Sequence, residues 1–137
     1  MSETAQLVRD AMVPEPLALA ADRSAQDAGE ALSRPEVRAV LVCDDGRLVG
    51  VVTRKTLVRE VVAAGLDPRT TTLRAIAEEP IQTLESSTPL TDAFGLLEER
   101  DLERVPVVEG GRLVGILSRS AVQRRLAEDE PRPDEDA

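Results

Sequence analysis

The sequence predicts an α+β fold in which two tandem β-α-β-β-α repeats pack sheet to sheet with pseudo-twofold symmetry. The first reason is a duplication: the segment RLVGVVTR (Arg47–Arg54) returns as RLVGILSR (Arg112–Arg119), 65 residues later. Held without gaps, the same shift pairs residues 22–59 with residues 87–124. Chance seldom keeps one register for so long, so we infer that the chain has doubled one small unit.

The second reason is that both copies show the same order of helix-like and strand-like segments. Apolar residues at helical spacing follow Ser24 and Thr88, each placed to cap a helix, with Pro89 at a first helical position. Turn residues separate two β-rich runs in each copy, which predicts hairpins. The runs are Ala39–Cys43 and Leu48–Thr53 around Asp44-Asp45-Gly46, and Val105–Val108 and Leu113–Ser118 around Glu109-Gly110-Gly111.

A second helix and one further strand complete each repeat. The helices are predicted over Lys55–Ala64 and Ser120–Ala127, and the strands near Pro16–Leu19 and Ile81–Leu84. The chain is therefore predicted to be one two-repeat domain at residues 1–127, with repeat 1 over about 8–64 and repeat 2 over about 73–127. Residues 65–72 are a connector, and the acid-rich residues 128–137 are predicted to be a disordered tail.

The composition argues against several classes of protein. Of 137 residues 42% are hydrophobic, which suffices for one core, and Phe94 is the only aromatic residue, so that core must be aliphatic. A net charge of −9 and the lack of aromatic platforms argue against a nucleic-acid partner. No apolar stretch approaches the roughly 20 residues that span a bilayer, which predicts no membrane span and a cytoplasmic location. The lone Cys43 agrees with a reducing compartment.

The inventory of reactive side chains predicts that the chain is not an enzyme. It has no His and one Cys, and it lacks nucleophile-elbow and phosphate-loop motifs. Cys43 is most simply a small apolar residue, and no metal site is predicted. The acid pairs Asp44-Asp45 and Glu78-Glu79 are interpreted as solvated surface.

Three motifs give the chain its resemblance to the CBS-domain pair, or Bateman module. Val8–Met12 is similar to the family's first helix, and Arg104–Val108 is similar to its R-hydrophobic-Pro-Val signature. The family's G-hydrophobic-hydrophobic-T/S motif occurs twice, at Gly50–Thr53 and Gly115–Ser118. The connector at Ala63–Pro68 also looks like that of stand-alone actinobacterial CBS-pair proteins, including the hypoxic-response type.

The resemblance implies a regulatory or sensor role. In the family, the cleft between the repeats can hold AMP, ADP, ATP or S-adenosylmethionine as a ligand, and no cofactor is required. Such modules commonly pair into homodimers that report to a regulated protein, whose identity the sequence does not reveal.

The family's ribose-binding motif, T/S-x-x-D, is incomplete in both repeats. It stands as Thr53-Arg54-Lys55-Thr56 and as Ser118-Arg119-Ser120-Ala121, so Thr and Ala replace the Asp. A charged acceptor bond contributes about 1.5 to 3 kcal/mol, so its loss predicts weak nucleotide binding that depends on phosphate contacts. The alternative is a ligand-free scaffold for protein interactions.

The candidate ligand-binding positions combine helix-capping hydroxyls, nearby arginines and the signature proline. Capping alone explains the hydroxyls, and solvent exposure or surface salt bridges explain the arginines. Cations in the first helical turn oppose the helix dipole in both copies, however, which favours an anionic ligand such as a polyphosphate. Gly50 and Gly115 could permit the close approach of a ligand or of another strand, and strand packing is favoured. The candidates are Arg38, Thr53, Arg54, Thr56, Arg104, Pro106, Ser118 and Arg119.

Overall fold

The computed structural model describes residues 6–14, 16–80 and 82–129. Its helices and strands follow the predicted order in both repeats. Along the chain they are α1 (Val8–Ala11), β1 (Val13–Pro14), β2 (Ala18–Ala20), α2 (Ala25–Leu32), β3 (Val40–Asp44), β4 (Arg47–Val52), α3 (Arg54–Leu57), a π-helical segment (Val58–Val62), α4 (Leu73–Ile76), β5 (Leu84–Glu85), α5 (Leu90–Glu99), β6 (Arg104–Glu109), β7 (Arg112–Ser118) and α6 (Arg119–Asp129).

The elements group into two compact units. The first-repeat unit contains the described residues 16–80 and 111–113, and the second-repeat unit contains residues 6–14, 82–110 and 114–129. Residues 6–14 therefore pack with the second-repeat unit, although residues 8–14 lie within the predicted bounds of repeat 1. The Val8 amide, for example, donates to the Thr88 carbonyl at 2.9 Å.

In the first-repeat unit the strand order is β2-β3-β4. Strand β2 runs parallel to β3, and β3 pairs antiparallel with β4. Helix α4 joins this unit because the Leu73 amide donates to the Arg23 carbonyl at 2.8 Å. Alternate residues of a strand share one face, so Val40 and Val42 both enter the aliphatic core. The buried core comprises Ala21, Ala25, Ala28, Leu32, Val40, Val42, Val52, Val61, Leu73 and Ile76.

The second-repeat unit is built in the same way. Strands β5 and β6 are parallel, β6 neighbours β7, and β1 pairs antiparallel with β7 through Val13 and Ile116. Phe94, the only aromatic residue, packs partly buried against its core. The buried core comprises Val8, Leu84, Leu90, Ala93, Leu97, Val105, Val107, Leu117 and Val122.

Both hairpin turns are confirmed as two-residue turns with positive φ angles. Asp45 and Gly46 have φ angles of 52° and 82°, and Gly110 and Gly111 have φ angles of 59° and 89°. Two successive positive φ values define the type I′ turn, whose twist matches that of the strands it joins.

The helix starts agree with the sequence in one repeat and differ by one residue in the other. Ser24 caps α2 as predicted, since its Oγ accepts a hydrogen bond from the Asp27 amide at 3.2 Å. Helix α5 begins at Leu90 with Pro89 at the cap position, so the predicted cap at Thr88 and the placement of Pro89 inside the helix are wrong by one residue. The Thr88 carbonyl accepts the Val8 amide, which holds Thr88 in the preceding loop.

The predicted helix over Lys55–Ala64 is not α-helical throughout. Its second half is the π segment, in which the Ala63 amide donates to the Val58 carbonyl at 2.8 Å. The segment contains Val58, Val61 and Val62, and β-branched side chains lower α-helix propensity. In the second repeat, α6 extends to Asp129, beyond the predicted end at Ala127. The predictions for Ile81 and for the tail over residues 130–137 lie outside the described residues.

Gly50 and Gly115 lie where another segment of backbone approaches closely. A Cβ atom on Gly50 would stand 2.6 Å from the Ala77 Cβ and 3.1 Å from the Glu78 carbonyl oxygen. A Cβ atom on Gly115 would stand 2.6 Å from the Met12 Sδ and 2.9 Å from the Val13 carbonyl oxygen. The approaching segments are therefore related by the same 65-residue shift as the glycines.

Candidate ligand-binding site

Thr53 and Thr56 form a reciprocal capping box at the start of α3. The Thr56 amide donates to the Thr53 Oγ1 at 3.3 Å, and the Thr53 amide donates to the Thr56 Oγ1 at 3.1 Å. The predicted capping role of Thr53 is confirmed. Thr56, which occupies the position of the family's Asp, has 0% of its surface exposed, so its hydroxyl does not face solvent.

Glu78 supplies a carboxylate at the position where the motif lacks one. The Thr56 hydroxyl donates to the Glu78 Oε2 at 3.2 Å, and the Arg59 guanidinium donates to the same oxygen at 2.8 Å. The Glu78 backbone is fixed as well, because its amide and carbonyl exchange hydrogen bonds with Val51 at 2.9 and 2.8 Å. We call Thr53, Thr56, Arg59 and Glu78 the Thr56–Glu78 cluster.

Sequence reasoning missed Glu78, which it placed among solvated acids. Both acids are exposed, as interpreted, but Glu79 makes no side-chain hydrogen bond or ion pair within the described residues, whereas Glu78 bonds to Thr56 and Arg59. The sequence contains one indication that Glu78 is unusual. The 65-residue shift pairs it with Val13, so a carboxylate in one repeat stands where the other has an apolar residue.

Three candidate cations of the first-repeat unit have no acidic partner among the described residues. Within the described ranges, no carboxylate lies within 4.0 Å of Arg38, Arg54 or Lys55. Among the residues that the structure describes, the Arg54 guanidinium donates to the Arg34 carbonyl, at 2.8 Å, and to no carboxylate, so none of them neutralises its charge. All three side chains belong to exposed residues of the first-repeat unit.

The corresponding helix start in the second-repeat unit is neutralised. Ser118 caps α6, since its Oγ accepts a hydrogen bond from the Ala121 amide at 3.2 Å. The Arg119 guanidinium lies 2.5 Å from the Glu103 carboxylate and 3.3 Å from that of Asp101, and its side chain is only 20% exposed. The hydrogen bond to Glu103 raises the pKa of Arg119, so the guanidinium stays charged but paired.

The two remaining candidates lie on β6. Arg104 begins the strand and is exposed, with no ion pair to any described residue. Pro106 is buried within the strand. The structure thus brings Thr53, Arg54 and Thr56 together and places Arg104 and Pro106 in the other unit.

Cys43 is half-buried, and desolvation raises the pKa of its thiol, which keeps the thiol protonated. The described residues contain no group of three or more His, Cys, Asp or Glu side chains that could hold a metal ion. Among the same residues, no helix combines the length and apolar character needed to cross a bilayer.

The chain contains two copies of one unit, and in each copy a hairpin leads into a helix capped by a hydroxyl. This arrangement places the protein in the class of tandem-repeat modules. The particular family is shown by its match to both repeats. The chain belongs to the CBS domain family, which matches residues 8–63 and again residues 73–128.

Comparison with known proteins gives the same assignment. Hypoxic response protein 1 of Mycobacterium tuberculosis is 33% identical over 102 residues, which cover 74% of this chain and 71% of that protein. The crystal structure of Hypoxic Response Protein I with two coordinated zinc ions covers 88% of this chain and 98% of its own, with 28% identity and a TM-score of 0.74. This chain has no His, and its described residues do not fit such a metal site.

A second solved structure is that of CBSX2 in complex with AMP. It is 28% identical, with a TM-score of 0.70, and it covers 89% of this chain and 96% of its own. The resemblance to the CBS-domain pair, and to its hypoxic-response type, is confirmed by these relatives. The α+β fold of two CBS repeats is confirmed with it.

Proposed function

We propose that the chain is a regulatory, non-enzymatic CBS-pair module that weakly binds an adenine nucleotide or a related adenosyl ligand. The observation that carries the proposal is the set of un-neutralised cations beside the Thr56–Glu78 cluster. Arg54 and Lys55 directly follow the capping Thr53, and neither has a carboxylate within 4.0 Å among the described residues. Guanidinium and ammonium groups bind phosphate through charge-assisted hydrogen bonds.

The relatives support the ligand class. The AMP complex of CBSX2 belongs to a protein of the same fold at 28% identity. An adenine nucleotide carries both the anionic phosphates that Arg54 and Lys55 suit and the hydroxyl donors that a carboxylate suits. Weak binding is proposed because neither repeat carries the family's Asp.

Titration calorimetry with AMP, ADP, ATP and S-adenosylmethionine tests this function. We expect measurable heat and a raised melting temperature with a phosphate-bearing ligand, because a ligand that binds only the folded state stabilises it. Arg54→Gln should weaken ATP binding more than adenosine binding, since it removes a phosphate contact. Absence of heat and of any thermal shift at millimolar concentration of all four ligands would remove this function.

We also propose that the module pairs into a homodimer. An apolar surface on the first-repeat unit supports pairing: Val62 is 73% exposed, and Val58 and Leu66 lie exposed beside it. Val62 and Leu66 border an apolar groove of about 450 Å³ between α2 and the π segment. An exposed patch of this kind marks an interaction surface.

Light scattering tests the pairing. The wild-type chain should have the mass of a dimer, and Val62→Asp should shift it towards the monomer because a charge would be buried at the interface. Val49→Asp, at an exposed position of β4, is the matched control and should leave the mass unchanged. A monomeric wild type, or equal effects of both variants, would contradict this assignment.

The second candidate function is a ligand-free scaffold for protein interactions. The observation that favours it is the second-repeat helix start, where Arg119 is neutralised and Ala121 offers no acceptor. If no nucleotide changes the melting temperature and the chain still forms dimers, the result would support the scaffold rather than the sensor.

A further inference from the structure

The two helix starts differ in the polar groups that lie beside them. At the position of the family's Asp, repeat 1 has Thr56 and repeat 2 has Ala121. In the first-repeat unit Glu78 approaches the end of β4, because it pairs with Val51. In the second-repeat unit Val13 approaches β7 at the matching place, because it pairs with Ile116. An acceptor carboxylate is therefore present in the first-repeat unit and absent at the matching place in the second.

The charges differ in the same direction. Arg38 occupies the position that Glu103 occupies in the second repeat, and Lys55 occupies that of Ser120. Glu103 is the residue that neutralises Arg119, so the first-repeat unit lacks the group that would neutralise Arg54. Two positions that differ between the repeats, 38/103 and 55/120, thus make one helix start cationic and leave the other neutral.

Glu78 has the geometry of a prepared hydrogen-bond acceptor. Both of its side-chain bonds fall on Oε2, and no described residue donates to Oε1. The side chain is 44% exposed, so Oε1 can meet a ligand. Because Thr56 and Arg59 fix the carboxylate, little side-chain entropy is lost when a ligand binds.

We propose that each chain has one nucleotide site, in the first-repeat unit, in which Glu78 accepts hydrogen bonds from the ribose hydroxyls in place of the missing Asp. The inference rests on the proposed function, because it assumes that a nucleotide binds. A carboxylate repels phosphate and accepts from hydroxyls, whereas Arg54 and Lys55 attract phosphate. The two features together fit a ligand with a diol at one end and phosphates at the other.

Calorimetric titration with ADP and with 2′-deoxy-ADP tests the inference. We expect one ADP per chain and tighter binding of ADP than of the deoxy compound. Glu78→Gln should weaken ADP binding by about tenfold to a hundredfold, because the ligand loses a charged acceptor. The preference for ADP over 2′-deoxy-ADP should shrink in the same variant.

Three variants serve as controls, each checked for an unchanged melting profile. Glu79→Gln removes a neighbouring carboxylate that makes no hydrogen bond or ion pair with any described residue, and it should bind ADP like the wild type. Arg119→Gln should also bind like the wild type, because that arginine belongs to the neutralised helix start. Arg59→Gln removes the ion pair but keeps the carboxylate, so it should retain the preference for the ribose hydroxyl.

The possible outcomes separate the inference from the proposed function. A second ADP per chain, an unchanged affinity of Glu78→Gln, or equal losses in Glu78→Gln and Arg59→Gln would overturn the inference and leave nucleotide binding intact. The last outcome would mean that Glu78 acts only by holding Arg59 and Thr56. No binding of ADP to the wild type would overturn the proposed function, and the inference with it.

Discussion

Gly50→Ala is expected to lower the free energy of unfolding by about 1 to 3 kcal/mol or more, because a methyl group would overlap packed atoms. The new Cβ would stand 2.6 Å from the Ala77 Cβ and 3.1 Å from the Glu78 carbonyl oxygen. The first distance is too short for two carbon atoms, so the two segments must separate. Separation would also strain the two hydrogen bonds between Val51 and Glu78. Urea denaturation, followed by circular dichroism, measures the change.

Gly95→Ala is the matched control for this prediction. Gly95 lies in α5, and a Cβ atom there would meet nothing within 4 Å. Because Ala has the higher helix propensity, this variant should be more stable than the wild type by up to about 1 kcal/mol. Equal effects of the two substitutions would show that the close approach at Gly50 does not exist.

The second large effect is expected from unpairing Thr56 and Glu78. Glu78→Val removes the charged partner of the buried Thr56 hydroxyl, which keeps its hydrogen bonds to Thr53, and should cost about 1.5 to 3 kcal/mol, the range for a lost hydrogen bond to a charged group. The exposed ion pair with Arg59 contributes less than about 1 kcal/mol of this. Thr56→Ala alone should also destabilise the chain, because it removes the acceptor of the Thr53 amide and leaves lost volume in a buried position.

The double variant Thr56→Ala with Glu78→Val reproduces the apolar pair of the second repeat, Ala121 and Val13. We expect it to cost less than the sum of the single changes, because each single change already breaks the same hydrogen bond between Thr56 and Glu78. A coupling of about 0.5 to 3 kcal/mol in denaturation experiments is the expected result. Strict additivity would show that the hydrogen bond between Thr56 and Glu78 does not contribute to stability.

The hairpins and the first helix of repeat 1 could be predicted because their signals are local. Asp45-Gly46 and Gly110-Gly111 can adopt positive φ angles more readily than other residues, and Ser24 lies three residues before the amide-bearing Asp27 that it caps. The duplication extended each local assignment to a second copy, which made the order of elements secure.

The position of Glu78 could not be predicted in this way. It lies 22 residues from Thr56, and only the folded chain brings the two side chains to 3.2 Å. Residues 6–14 present the same difficulty, since the repeat to which they pack is decided by tertiary hydrogen bonds such as that between Val8 and Thr88. The π segment was not predicted either, because the spacing of its valines in five residues does not distinguish an α-helix from a π-helix.

The outcome for the candidate site follows the same division. Thr53 and Ser118 were placed correctly as helix caps, because capping depends on residues three positions apart. Arg54 and Arg119 looked equivalent in the sequence, but Glu103 neutralises one of them and its counterpart Arg38 cannot neutralise the other. A duplicated sequence therefore does not guarantee a duplicated site.

A crystal structure of the chain grown with ADP is the most direct test. We expect electron density for one nucleotide per chain, with its ribose hydroxyls bonded to the Glu78 Oε1 and its phosphates beside Arg54 or Lys55. Density beside Ser118 and Ala121 alone, or none in crystals grown at millimolar ADP, would contradict the account.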